Sequence, residues 1–347
     1  MNSSNYLTYL AFFGVCLLIL TLPFIPAFRE WMWPTDIAPL PVSANYAADI
    51  DHFARRLRGD AMARLGTGPA TGHEDFQMVG EQMSAKEWSE ASRRLMTTGS
   101  IHTPEAVRTT QPVYVDGDFV AGGDSSVLAL YATGDIALGA ASRVTDWAHA
   151  DGVLRVGQGG IALRRISAGQ SIELDVDAWF ERLSAPLLRF GQRASKVLPP
   201  TAIEQTPGSY ADLPGAVAQT PTLYLIRGDC VLPAARVFRG SLVVTGFLTV
   251  GAATTVHGDI KARDGVSLGH RSAVLGAITC EKRIYMFPDA RAWGPVISES
   301  DVLIGASAIV GLPEAPTTVS GLNVIVEDGV QVHGAIWAHE IGMVKPA

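Results

Sequence analysis

Four glycines, Gly240, Gly258, Gly276 and Gly294, recur at a spacing of 18 residues. The columns beside them keep the same period. Two residues after each glycine come Leu242, Ile260, Ile278 and Val296. Eight residues after come Leu248, Val266, Ile284 and Val302, and ten after come Val250, Leu268, Met286 and Ile304. Several apolar columns on one shared period mark a stacked repeat, in which each unit touches only its neighbours. Each repeat reads as a coil of three short strands joined by tight bends, with alternate side chains turned inward. A lone coil is not stable. Its inward side chains, about six of them, contribute roughly 1.5–3 kcal/mol each when buried. Ordering the backbone costs about 1–2 kcal/mol per residue. Neighbouring coils must therefore supply ladder bonds and close the core above and below. The chain is predicted to be an all-β solenoid, a parallel β-helix of 18-residue coils, with an N-terminal transmembrane helix and a small helical region.

The frame extends backward, where Tyr224, Cys230 and Leu232 occupy the same columns. It extends forward if residues 312–315 are looped out. Val324 and Val326 then fall in register, and Gly334 and Ile336 restart the coil. An upstream segment keeps the same arithmetic through Ile136, Leu154 and Ile172, and through Leu138, Val156 and Leu174. These columns predict a first block over 113–176 and a second over 222–347. Between them Trp179, Phe180, Leu183, Leu187, Leu188 and Phe190 read as an apolar helical insert within a linker over 177–221. The sequence leaves open whether the two blocks stack. Cys230 and Cys280 fall in core columns, which argues for buried thiols rather than a disulfide or zinc framework.

Residues 2–28 carry no charged side chain. The run over 6–25 is predicted to be a membrane-spanning helix within an anchor over 1–33. No basic residue precedes it, as a secretory signal would require. Trp31 and Trp33 stand where an interfacial aromatic belt belongs, and the Pro-rich stretch 34–41 reads as a stiff spacer. Arg55, Arg56 and Arg58 favour a cytoplasmic solenoid, with the periplasmic side left open. Two helices are expected between residues 45 and 98, within a linker and juxtamembrane region over 34–112. The first carries an apolar stripe of Tyr46, Ile50, Phe53, Leu57 and Ala61. The second opens on a capping box, Ser84 with Glu87, and continues through Trp88, Ala91 and Leu95. Residues 66–73 between them read as a loop. The net charge of −7 at pH 7 argues against a nucleic-acid partner.

The segment RGSLVVTGFLTVGAATTVHGDIKARDGVSLGHRSAVLGAI, with its succession of V-x-G, short apolar strand and G, resembles the bactofilins, polymer-forming cytoskeletal proteins. The likeness covers about residues 222–343. It implies a β-helix that polymerises end to end without nucleotide or other cofactor at the inner face of a bacterial membrane. The chain departs from that pattern in its apolar N-terminal run, its helices and its additional block. The resemblance thus implies a non-enzymatic, membrane-tethered scaffold that associates with itself and organises envelope or exopolysaccharide machinery. Few residues follow the last coil to cap it, so Val324, Val326, Val332 and Ile336 are the expected self-association residues. The outward column Arg239, His257, Leu275 and Trp293 is the candidate partner ridge.

Two chemical readings compete. The pairs Leu138-Gly139, Val250-Gly251, Leu268-Gly269 and Ile304-Gly305 fit the looser pattern of hexapeptide-repeat acyltransferases. In that reading His257, His270 and His333 are candidate general bases. The second is a polysaccharide binder or lyase using Glu281, Arg283, Glu299 and Asp301 on one outer face. A solvated ladder of opposite charges on neighbouring strands accounts for the same residues. No P-loop, dinucleotide fingerprint or HExxH motif occurs.

Overall fold

The computed structural model describes residues 3–32, 50–67, 76–80, 83–192 and 204–347. They form two compact units, Met1–Tyr46 and Ala47–Ala347. In the first, the apolar run divides into helix α1 (Ser3–Thr21), a 3-10 turn (Leu22–Phe24) and helix α2 (Ile25–Met32). Among the described residues no helix is long and apolar enough to cross a membrane. The spanning helix expected over 6–25 is therefore not supported. Pro23 interrupts the run because it has no N–H to continue the α-helical ladder. The sequence of α1 is polar until Tyr6, so its apolar part, residues 6–21, extends about 24 Å, short of a ~30 Å hydrocarbon core. Trp33, the spacer over 34–41 and the start of the stripe at Tyr46 lie outside the described residues, as do 68–73 of the expected loop.

The second unit is a parallel β-solenoid in which 32 strands among the described residues form one hydrogen-bonded network. Register follows the period read from the sequence. Leu242, Ile260, Ile278 and Val296 lie opposite one another on successive strands. So do Cys230, Leu248, Val266, Ile284, Val302 and Val324. All of these are buried in one continuous core. The segment 312–315 is looped out, with Leu312 and Ala315 bridged across it. Close approach explains the glycine column. A Cβ on Gly258 would collide with the carbonyl of Gly240, and one on Gly294 with the backbone of Gly276. Another corner uses the left-handed region without glycine, at Ala235, Ala253, Arg271, Asp289 and Ser307, with φ between 55° and 60°.

The first block begins well before residue 113. Strand Phe76–Met78 pairs with Arg94–Thr97, which pairs with Val113–Val115. The capping box at Ser84 and Glu87 is present and starts helix α4 (Ala85–Glu90), after helix α3 (His52–Thr67). Helix α4 is shorter than expected because Leu95 lies on a strand with its side chain in the core. Trp88 covers this end of the core, edge-on to Phe119 at 6.4 Å.

The apolar insert is not helical. Trp179–Phe190 is a 12-residue strand. It continues the stack, with Trp179 opposite Ile161 and Leu187 opposite Ser171. Phe180, Leu183, Leu188 and Phe190 point inward and are buried. Its far edge pairs antiparallel with Gln331–Lys345, the last strand of the chain, placing Leu183 opposite Ile336 and Leu188 opposite Val332. The two blocks thus form one column joined last coil to last coil, with the chain direction reversed at the joint.

Candidate interaction surfaces

The joint decides what the expected self-association residues do. Val324, Val326, Val332 and Ile336 are inward core residues, each at most 1% exposed. The edge of the last coil is occupied within the chain by Trp179–Phe190. The solenoid therefore has two outer ends that are both beginnings of blocks. At one, Phe76–Met78 pairs only with Arg94–Thr97 among the described residues, and Met78 is exposed. At the other, Ala216–Thr220 folds back antiparallel on Leu223–Ile226. Its other edge carries no described strand. Tyr210 plugs the core there, stacked on Phe238 at 4.9 Å, with Tyr224 at 5.1 Å.

The candidate ridge is formed. Arg239 lies opposite His257, and Leu275 and Trp293 follow at the same corner of the next coils. Leu275 is half-buried and the other three are exposed. The three histidines sit in different surroundings. His257 is on this ridge, His270 Nε2 is 3.7 Å from Asp289, and His333 Nδ1 is 3.2 Å from the Pro186 carbonyl at the joint. Arg283 donates to Asp301 at 2.8 and 3.0 Å, and Asn323 donates to the same carboxylate at 2.9 Å. The Asn323 bond, then Arg283, holds the Asp301 carboxyl below its ordinary range. Arg283, Asp301 and Asn323 thus form a cross-strand ladder.

Two features escaped the sequence. The first is a polar-aromatic column beneath α3. Tyr114, Tyr131 and His149 stack on successive strands at 5.5 and 5.4 Å. Ala54, Leu57 and Ala61 of α3 pack on this column, with Met96, Ala129 and Trp147. Asp151 gathers the polar ends. It accepts from the Tyr131 hydroxyl at 2.8 Å, meets His149 Nε2 at 3.2 Å and pairs with Arg58 of α3 at 3.4 Å. His149 Nδ1 lies 2.7 Å from Ser167 Oγ. The order Ser167, His149, Asp151 has the form of a nucleophile relay. Ser167 is buried, however, and its strand is laddered on both sides. Oxyanion stabilisation needs free donors beside the nucleophile. The arrangement is built to hold a helix.

Burial pushes the His149 pKa down, against the opposing pull of Asp151 and Asp51, with Arg58 adding to the depression. A depressed histidine favours the neutral folded form, so protons bind the open form more tightly. Attachment of α3 should then be full above the unfolded pKa of about 6.5 and weaken as pH falls below it. Hydrogen exchange across His52–Thr67 should show that loss, and His149→Gln should flatten it. Equal protection of α3 in the parent at pH 7.5 and pH 5.5 would refute the linkage.

The second feature is a groove of about 870 Å³ running along the first block to the joint. Gly139 and Gly157 line it, and Arg155, Glu173 and Arg189 form a charged column within it. Arg155 bridges Asp135 at 3.3 Å and Glu173 at 2.9 Å, and Arg189 reaches Glu173 at 3.2 Å. Such half-exposed pairs contribute about 0–1 kcal/mol each. The one aromatic among its described lining residues, Phe190, is buried.

No family model, curated protein or solved structure matches this chain.

Proposed function

We propose that this chain is a β-helical scaffold that associates with its own copies through the outer ends of the solenoid and is held at a bilayer by its N-terminal segment. The joint is the observation that carries the reading. It consumes the last coil of each block and leaves two first coils as ends. The edge of Ala216–Thr220 that carries no strand among the described residues offers backbone groups to the same strand of another copy, an isologous pairing. The 18-residue coil and its likeness to bactofilins support the same reading. That likeness also favours the inner face of a bacterial inner membrane and envelope or polysaccharide-synthesis machinery as partners. Side chains from Tyr9 to Ile25 are exposed on every side of that stretch. Apolar surface of this kind is stabilised by transfer into lipid.

The test uses the full chain. Membranes washed with carbonate should retain it, and the detergent-solubilised chain should sediment as large assemblies. Val217→Lys, at an exposed position on the open edge, should reduce those assemblies to small species without lowering the melting temperature. Release by carbonate would remove the bilayer claim, and a parent that sediments as a monomer would remove the scaffold claim.

A further inference from the structure

Outward positions of a coil face solvent, yet one outward column is apolar over six consecutive strands. Tyr285 lies opposite Leu303, which lies opposite Ile325. Ile325 lies opposite Met343, which faces Trp179 across the joint, and Trp179 lies opposite Ile161. The column ends at Ser267 on one side and Arg143 on the other. Phe287 and Ile341 widen it and, with Trp179, are between 41% and 50% exposed. The inward core does not use any of these residues. The stripe crosses the joint, so its full length exists only in the joined column.

We propose that this stripe is a lateral contact with a second copy of the chain, packed face to face. Its position along the solenoid axis makes it self-complementary under a two-fold axis lying in the contact plane. An apolar centre with an ordered polar rim is the anatomy of a protein interface. The rim here is ordered on both sides. Arg283 is fixed by Asp301 and donates to the Tyr285 hydroxyl at 2.8 Å. On the other side Glu327 accepts the Ala306 N–H at 2.8 Å. Charge argues against lipid as the occupant. Carboxylates of Asp177, Asp301 and Glu327 flank the stripe together with the cations Arg283 and Lys345, so this face lacks the basic excess that anionic headgroups select. Size agrees with a modest contact. At about 4.8 Å per strand the stripe is roughly 24 Å long, and a strip some 20 Å wide on each copy gives about 1,000 Å² in total, the lower bound of a specific interface. Such a contact is weak alone and multiplies when several copies are already linked.

The lateral contact is separate from the end contacts, and the experiment keeps them apart. The full-length, end-blocked chain carrying both Val217→Lys and Met78→Lys, one at each outer end, is sedimented in detergent over a concentration series. It should show a monomer–dimer equilibrium. Adding Leu303→Glu and Met343→Glu, both outward, should raise the dimer dissociation constant at least tenfold with the melting temperature unchanged. Leu303→Cys in the same background should form a disulfide dimer on oxidation, beyond any dimer formed through exposed Cys16 in the control. An end-blocked chain that stays monomeric throughout, or a dimer indifferent to the two glutamates, overturns the lateral contact. Assembly of the unblocked double-glutamate chain reports on the end contacts alone, so failure of either proposal is read independently.

Discussion

Ile278→Asp should destabilise the solenoid by about 3–5 kcal/mol, whereas Thr279→Asp should change stability by no more than about 1 kcal/mol. The two positions are adjacent and take the same substitution, so only side-chain direction separates them. Ile278 is fully buried between Ile260 and Val296. A carboxylate there has no partner and must stay charged in a dry core or take up a proton. Thr279 lies on the same strand facing out, opposite Lys261. A carboxylate at that position meets a cation on the neighbouring coil. Coils are stabilised by their neighbours, so the inward carboxylate should melt more than its own turn. Exchange protection should fall across strands Ile260–Ala262 and Val296–Ser298 as well. Similar melting temperatures for the two variants would overturn the inward and outward assignment of the whole column.

The inward columns were legible because a parallel stack repeats one physical environment at one interval. Leu248, Val266 and Ile284 each meet the same core, and each must be apolar. The short helix start at Ser84 was legible because its capping box is local. The strand Trp179–Phe190 was not. Its bulge and Pro186 break strict alternation, and a short apolar run reads equally well as helix. The joint left no trace in the sequence, since the pairing of Leu183 with Ile336 is a single long-range antiparallel contact without a period. The inward direction of Val324, Val326, Val332 and Ile336 was readable, while the partner covering their coil was not. Outward columns carry weaker constraints. His149 and Ser167 are 18 apart and in register, yet nothing in the spacing says that α3 covers them. The outward stripe was hidden for a related reason. Two of its six members come from the first block, and only the joint places Trp179 beside Met343.

Ile336→Arg should open the joint and increase association. If the last coil were a free edge meeting another copy, the same substitution would abolish association, so the direction of change discriminates. Ile336 is 1% exposed and faces Leu183 across the antiparallel pair, with Val319 on its other side. A guanidinium cannot be hydrated there, and the described neighbours at that level of the core offer it no carboxylate. The expected cost is about 3–5 kcal/mol, enough to separate the facing strands while the inner coils of each block keep their own neighbours. Separation would expose two long strand edges and the apolar core behind them, both of which favour pairing with other copies. Glu340→Arg, an exposed position on the same strand, serves as the control and should leave the joint closed. Hydrogen exchange should show coupled loss of protection in Trp179–Phe190 and Gln331–Lys345 for Ile336→Arg alone. Scattering from that variant should show a larger particle. Loss of protection in Gln331–Lys345 without loss in Trp179–Phe190 would mean that the two blocks are not joined through these strands.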